Sequence, residues 1–297
     1  MTAHNTRATR FYSLGCALAL TAFLLLAGVT AHAADRQSTH FFQSLQKHLI
    51  ADGFSAEWIK ELYGQKQVYF ETRGVAAYFR HNEATLNYSK MTGSAWIKEA
   101  REYMREQDKA LRQAEKHFGV DPKVITAIIL VETKFGRYVG KQGILNILST
   151  MAVLKESKPR EYLWKRLPKT RRFARKQYNQ KADQKAAWAY KELKAFLTYT
   201  RLHGIDPISV RGSYAGALGI AQFMPSNILV YGRDGNGDGR IDLFEDADAI
   251  FSIASYLKHY GWKPGINRKQ AYKVVYHYNH SSYYVNTILK ITDLLEG

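Results

Sequence analysis

The chain has 297 residues, 46% of them apolar, which is enough for one large or two modest domains with a substantial core. Its formal net charge of +17 favours a polyanionic partner such as nucleic acid, anionic lipid or an acidic cell-wall polymer, although a solvated basic surface would explain the charge as well. Only six prolines and long helical patterns occur, so we predict a mainly α protein.

The N-terminal segment has the pattern of a secretory signal peptide. Arg7 and Arg10 precede an apolar run that ends near Val29, and small residues at −3 and −1 of a cleavage site lead up to Ala33. We therefore predict a signal peptide at 1–33 and export to the periplasm. The alternative is an uncleaved membrane anchor, for which the apolar run is long enough.

Cysteine usage agrees with this assignment. Cys16 is the only cysteine, and most of the apolar run follows it, so the pattern of a lipoprotein is absent. Cleavage after Ala33 would leave a mature chain, 34–297, without disulfide or thiol chemistry. Export also makes nucleic acid an improbable partner, and we expect a monomer.

The mature chain is predicted to be helical over most of its length. Residues 65–95 have no firm period and read as an extended arm. Apolar periodicity predicts helices elsewhere, at 38–64 (two short helices), 94–118, 121–136, 143–154, 186–202, 247–259 and 283–295.

The helix at 121–136 is the most distinctive of these elements. Asp121 is a good N-cap and Gly136 a natural residue to follow the helix. Glu132 continues an otherwise apolar helical row, and burial together with the negative end of the helix dipole should raise its pKa. Such a protonated acid suits the general acid of a glycosidase. The alternative is a buried glutamate paired with an arginine or lysine.

Lysine and arginine residues are concentrated between 155 and 185. This basic stretch could contact an anionic polymer or a membrane surface. It could also form a pair of solvated helices, which the sequence favours slightly.

A run of small residues from Gly212 to Ser226 contains almost no charge. Such a run lets the backbone approach a ligand or another segment closely. It lacks the lysine and the spacing of a phosphate-binding loop. Tight helix packing is the alternative interpretation.

Residues 234–245 match the calcium-loop pattern D-x-[DN]-x-[DN]-G-x5-E at every position. We predict one structural Ca²⁺ site, rather than a metal-free turn rich in aspartate and glycine. Gly239 permits the sharp turn at position 6. A single loop without a preceding long helix indicates a stabilising clip and not a sensor. The predicted ligands are Asp234, Asn236, Asp238, the carbonyl of Arg240, Asp242 and Glu245.

These motifs together resemble a known family. The segment Val131-Glu132-Thr133-Lys134-Phe135-Gly136, the small-residue run and the calcium loop follow one another in this order and resemble the membrane-bound lytic transglycosylase B family. The resemblance extends from about Tyr88 to the end of the chain. It implies a lysozyme-like α domain with an EF-hand-like calcium loop and additional helical segments, all within 34–297.

The resemblance also implies an activity. The family cleaves the β-1,4 bond between N-acetylmuramic acid and N-acetylglucosamine in peptidoglycan glycan strands without water and leaves a 1,6-anhydro product. One carboxyl acts first as acid and then as base, unlike the two-carboxylate scheme of most glycosidases. By motif, Glu132 would be this acid/base. The substrate-binding residues would be Ser213, Gln222, Tyr256, Tyr278, Asn279, Trp188 and, by a looser match, Tyr88.

The chain departs from the family pattern in two places. Gln184 and Lys185 stand where the family has an arginine pair, and Trp188 where it has a cleft tyrosine. The family also uses an acidic calcium ligand that corresponds to Asp248, so either Glu245 or Asp248 completes the loop. A non-catalytic cell-wall binding protein and a hydrolytic muramidase are the alternative functions.

Overall fold

The computed structural model describes residues 39–80, 88–167 and 174–296. The signal peptide predicted at 1–33 lies outside this range. Within it, no helix combines the length and the apolar character needed to cross a membrane.

Helices dominate the described residues, as predicted. Three short 3₁₀ helices, at Thr39–Phe42, Tyr88–Thr92 and Val153–Lys155, flank longer elements. In chain order the α-helices are α1 (Gln43–Ala51), α2 (Ala56–Gly64), α3 (Thr72–Arg80), α4 (Ser94–Glu106), α5 (Asp108–Phe118), α6 (Pro122–Thr133), α7 (Ile144–Ala152), α8 (Ser157–Arg166), α9 (Arg175–Leu202), α10 (Pro225–Tyr231), α11 (Asp246–His259), α12 (Arg268–Tyr278) and α13 (Ser282–Glu296).

The structure corrects several of the predicted elements. The stretch 94–118 is two helices, α4 and α5, which meet at Gln107. Part of the expected extended arm is helical, since α3 occupies Thr72–Arg80 and its Val75 is fully buried. Only three apolar side chains of this short helix are buried, namely Val75, Ala76 and Phe79. Three positions are too few to reveal a helical period in the sequence.

Helix α6 is the centre of the core. Its N-cap Asp121 accepts a hydrogen bond from the Lys123 N–H at 2.8 Å, as predicted. Every residue from Val124 to Leu130 is fully buried. The helix ends at Thr133, earlier than predicted, because Lys134 and Phe135 already adopt left-handed backbone with φ of 50° and 60°.

The long helix α9 supports the other half of the molecule. It packs against α7 and α10. Its buried Glu192 accepts hydrogen bonds from the backbone N–H and the hydroxyl of Ser226, at 2.9 and 2.8 Å. These contacts satisfy one of the free N–H donors at the start of α10 and anchor the end of the small-residue run.

The small-residue run forms loops and not a packed helix. Its first residues make a two-residue antiparallel ribbon, in which β1 (Gln142–Gly143) pairs with β2 (Arg211–Gly212). Gly140 has φ of 96°, and a Cβ there would lie 2.1 Å from the Gly212 carbonyl carbon. The expected close backbone approach therefore occurs, between the segment after α6 and the start of the run.

Candidate active site

Glu132 lies in the last turn of α6, half-buried, with its carboxylate held by a tyrosine. The Tyr284 hydroxyl donates a hydrogen bond to Glu132 Oε1 at 2.7 Å. Tyr284 is 1% exposed and belongs to α13, which packs against α6. The partner shown for this acid is thus a neutral phenol, which can hold the carboxylate without cancelling its charge.

Tyr284 is not among the site residues predicted from the sequence. A signal for it existed, because it stands on a buried helical row with Ile288, Ile291 and Leu295. A tyrosine on such a face needs a hydrogen-bond acceptor. Which acceptor it finds depends on tertiary packing, since 152 residues separate it from Glu132.

A tyrosine cluster extends from this pair. Tyr278 stacks on Tyr284 with ring centroids 6.4 Å apart, and Tyr256 meets Tyr278 edge-on at 5.1 Å. Burial, then the charge of Glu132 and the neighbouring Tyr256, raise the pKa of Tyr278 well above its usual value of 10. Tyr278 therefore remains a hydroxyl donor at any physiological pH.

Tyr256 lies deeper in the cluster than Tyr278. Tyr256 is 5% exposed, and its hydroxyl donates to the His277 carbonyl at 2.7 Å. It supports Tyr278 from within the core. Its predicted contact with sugar stays a prediction. Asn279 follows the end of α12 in extended backbone and is half-buried.

Three hydrogen bonds connect the small-residue run to the site. Thr133 donates to the Ile220 carbonyl at 3.1 Å, and the Tyr278 hydroxyl donates to the Ala221 carbonyl at 2.5 Å. Gln222 Nε2 donates to the Val139 carbonyl at 3.1 Å. The loop 220–222 is therefore bound to α6, which carries Glu132, and to α12, which carries Tyr278.

Gln222 itself has unusual backbone geometry. Its φ is 48°, a left-handed conformation that side chains other than glycine seldom adopt. Such strain persists only where surrounding contacts impose it, and it is concentrated at functional sites. The Nε2 bonds to Val139 and Gly219 fix the amide and leave its Oε1 as an acceptor.

Ser213 begins the opposite part of the run. Its hydroxyl oxygen accepts from the backbone N–H groups of Ala215 and Ala217, at 3.3 and 3.1 Å. It is half-buried, and its O–H hydrogen can still be donated. These bonds give Ser213 a structural role in shaping the loop; support of the Glu132 carboxyl by this hydroxyl stays a prediction.

Trp188 belongs to an aromatic group beside Ser213. It stacks on Tyr78 with ring centroids 6.2 Å apart and planes 4° from parallel, and Tyr78 approaches Tyr214 at 6.5 Å. Lys185 Nζ lies 5.1 Å from both stacked rings. The lysine that replaces an arginine of the family pattern therefore lies against aromatic faces.

Tyr88, the loosest of the predicted contacts, begins the 3₁₀ helix Tyr88–Thr92. This helix packs against α13 and α6, so its backbone is near the Glu132 region. The Tyr88 side chain lies outside the described residues.

The predicted calcium loop is held by its own side chains. Asp234 accepts from the backbone N–H groups of Gly237, Asp238 and Gly239, which lowers its pKa. Gly239 has φ of 85°, as the sharp turn at position 6 requires. Among the described residues, no group of three acidic, histidine or cysteine side chains is arranged to hold a metal. The donor set is nonetheless all oxygen and fits a hard cation.

The loop is closed by Asp248 and not by Glu245. Asp248 is 1% exposed, and its two carboxylate oxygens accept from the N–H groups of Gly235 and Asp242 at 2.8 and 2.7 Å. Burial raises its pKa, against the lowering effect of these bonds. The Glu245 side chain is exposed at the start of α11. Asp248 therefore faces the loop.

Comparison with known proteins agrees with this architecture. A family model described as transglycosylase SLT domain matches residues 37–270, so the chain belongs to that family. It is 29% identical to the membrane-bound lytic murein transglycosylase B of Escherichia coli (strain K12) over 237 residues. That match covers 75% of this chain and 57% of the relative, so the chain spans little more than half of the relative's length.

Solved structures are similar over most of the chain. The soluble lytic transglycosylase SltB1 of Pseudomonas aeruginosa has a TM-score of 0.67 and 25% identity, covering 87% of this chain and 98% of that one. Escherichia coli lytic transglycosylase Slt35 in complex with calcium has a TM-score of 0.67 and 24% identity, covering 86% and 92%. The expected family and lysozyme-like helical fold are confirmed.

Thr133 provides a test of the site's construction. Its fully buried hydroxyl donates to the Ile220 carbonyl and accepts from the Gly136 N–H at 3.0 Å. Thr133→Val keeps the shape but leaves both groups unsatisfied, so we expect the free energy of unfolding to fall by about 1–3 kcal/mol. Urea denaturation measures this loss. Thr133→Ser keeps the hydroxyl and should lose less; an equal loss in both variants would contradict a role for the hydrogen bonds.

Proposed function

We propose that the protein is a lytic murein transglycosylase that cleaves the β-1,4 bond between N-acetylmuramic acid and N-acetylglucosamine in peptidoglycan. The observation that carries the proposal is the Glu132 carboxylate at the end of a buried helix, hydrogen-bonded by the Tyr284 hydroxyl. Family membership supports the substrate class.

Glu132 performs both proton transfers in this scheme. Its carboxyl gives a proton to the bridging oxygen as the bond from that oxygen to the anomeric carbon breaks. The 6-hydroxyl oxygen of the same muramoyl residue then bonds to the anomeric carbon, and its proton passes to the Glu132 carboxylate. The product is a 1,6-anhydro end, and no water is consumed. One carboxyl suffices, in contrast to most glycosidases.

The neighbouring groups have positioning roles. Tyr284 orients the carboxylate and stabilises its charged form between the two transfers. Gln222 presents an amide oxygen to a sugar hydroxyl or amide from a rigid loop. Trp188 and Tyr78 offer aromatic faces on which sugar rings can stack.

Replacement of the acid tests the proposal directly. Glu132→Gln keeps the size and the hydrogen bond from Tyr284 but cannot exchange a proton, so we expect release of anhydro-muropeptides from purified sacculi to cease while the fold persists. Mass spectrometry of the products is the measurement, because an anhydro end is one water lighter than a reducing end. Glu102→Gln, an exposed change on α4, is the control.

Other results would point to other functions. Reducing ends from the parent protein would identify a hydrolytic muramidase. A parent protein that binds sacculi and releases nothing would be a cell-wall binding protein.

Tyr284 can be tested without removing the acid. A hydrogen bond to a charged group contributes about 1.5–3 kcal/mol, so Tyr284→Phe should lower kcat about ten- to hundredfold. Product release from sacculi under saturating conditions measures this. Tyr283→Phe removes a hydroxyl from the adjacent residue, which is 68% exposed, and should leave kcat unchanged. Equal rates for the two variants would rule out a positioning role for Tyr284.

We also propose that the loop at 234–245 binds one structural Ca²⁺. Asp234, Asn236, Asp238, the Arg240 carbonyl and Asp242 would supply oxygen ligands, and Asp248 would close the site from the base of the loop. Ca²⁺ would stabilise the neighbouring loop 220–222, since the Leu243 carbonyl accepts a hydrogen bond from the Ile220 N–H at 2.7 Å. The Slt35 structure with calcium shows that a protein of this fold binds the ion.

Thermal unfolding tests the calcium site. Ca²⁺ at about 100 times its Kd should add about 2.7 kcal/mol of stability, raising Tm by several degrees relative to the protein in EGTA. Asp234→Ala should remove this response, and Asp206→Asn, outside the loop, should retain it. Glu245→Gln should also retain it if Asp248 is the closing ligand. Identical Tm values with and without Ca²⁺ would refute the site.

Export is the remaining part of the proposal. The pattern at 1–33 would direct the chain to the periplasm, where its substrate lies. N-terminal sequencing of the protein recovered from a periplasmic extract would show whether the chain begins after Ala33.

A further inference from the structure

A cavity of about 620 Å³ lies in the basic region, between α8 and the first turns of α9. Five cationic side chains and one carboxylate are among its described lining residues. Phe41 and Tyr162 form an apolar wall. The cavity has the size of small-ligand sites, which combine apolar walls with a few polar groups.

Ion pairs neutralise part of the positive charge around the cavity. Arg175 pairs with Glu161 at 2.5 Å, and Arg160 pairs with Asp183. The Arg166 guanidinium instead lies 3.4 Å from the centre of the Tyr162 ring and donates through Nη1 to the Tyr162 carbonyl at 3.3 Å, which leaves its other N–H groups for a ligand. Lys158 is exposed at the rim. A flat guanidinium fixed on an aromatic face is well placed to bind a carboxylate through two hydrogen bonds.

Asn179 adds a hydrogen-bond acceptor to a lining that otherwise consists mainly of donors. It also lines the cavity, and its Oδ1 is buried without a hydrogen-bond partner among the described residues. A buried unpaired acceptor is costly, so a rotation of the Asn179 amide toward a ligand donor in the cavity would relieve that cost. A ligand that suits the cavity therefore carries both an anionic group and an N–H or O–H donor.

The cavity is separate from the proposed catalytic site. Asn179 and Trp188 are nine residues apart on α9, which places them about 13 Å apart along the axis and half a turn apart around it. Arg175 lies one turn from Asn179 on the same face. A ligand in the cavity therefore does not occupy the aromatic surface formed by Trp188 and Tyr78.

We propose that this cavity is a second binding site for the carboxylate-bearing peptide of the cell wall. A peptide supplies carboxylates for Arg166 and Lys158 and amide N–H donors for Asn179. A phosphodiester supplies only acceptors, and a flat lipid surface does not enter a cavity. The choice of a wall peptide rests on the proposed function. The site would tether the enzyme to wall material beyond the strand being cleaved.

Calorimetric titration with the synthetic tetrapeptide L-Ala-γ-D-Glu-L-Lys-D-Ala tests the proposal. The titration uses the Glu132→Gln protein, so that peptide binding is measured independently of catalysis. We expect saturable binding that weakens with salt and is lost when the peptide carboxyls are amidated. Absence of binding, or tighter binding to phosphatidylglycerol vesicles than to the peptide, would overturn it.

Two variants test whether the peptide binds in the cavity. Lys158→Glu/Arg166→Glu should weaken peptide binding by at least about tenfold, whereas Lys273→Glu/Lys290→Glu makes the same charge change elsewhere and should not. Asn179→Leu removes the unpaired acceptor without adding charge, so it should reduce affinity while Tm is maintained or raised. Unchanged affinity in both cavity variants would refute the assignment.

A kinetic comparison separates tethering from catalysis. In the otherwise unmodified enzyme, the cavity variants should keep the parent rate on short soluble glycan fragments and lose activity on whole sacculi at low enzyme concentration. Equal losses on both substrates would place the cavity residues in the catalytic site and contradict a separate one.

Discussion

The structure depends on the hydrogen bonds made by the last turn of α6. An apolar helix, buried over Val124 to Leu130, ends at the half-buried Glu132, whose carboxyl group needs a hydrogen-bond partner. A phenol from α13 provides this, and Thr133 in the same turn binds the loop at Ile220. The acid is therefore positioned by elements far apart in sequence, each of which is itself rigid.

The predicted calcium loop is connected to that arrangement through the backbone. Asp248 binds both ends of the loop, the Leu243 carbonyl binds the Ile220 N–H, and Thr133 binds the Ile220 carbonyl. A Cβ on Gly219 would lie 2.4 Å from Leu243 Cβ, so the two segments can approach only because glycine is present. Direct contacts thus connect the predicted calcium loop to the neighbours of Gln222.

The basic cavity and the Glu132 site occupy different parts of the molecule. The region around Glu132 is built mainly from tyrosines, threonine and backbone groups, whereas the basic residues of α8 and early α9 surround a separate cavity. The excess positive charge of the chain is therefore partly organised into a concave surface, and Asn179 gives that surface an unpaired acceptor. Under the proposed function, such a separation would let the basic cavity hold wall material while Glu132 acts on the glycan strand.

Local sequence determined much of this protein. The periodicity predicted α6 and its Asp121 cap, the order of three motifs indicated the family, and Glu132 was identified from an interrupted apolar row. Tertiary structure decided what no local pattern encodes. It revealed that Tyr284 is the partner of Glu132, that Tyr256 supports Tyr278 from the core, and that Asp248 faces the loop where Glu245 is exposed. The physical reason is that hydrogen-bond partners and burial depend on contacts between segments many residues apart, whereas helix periodicity and capping depend on neighbours along the chain.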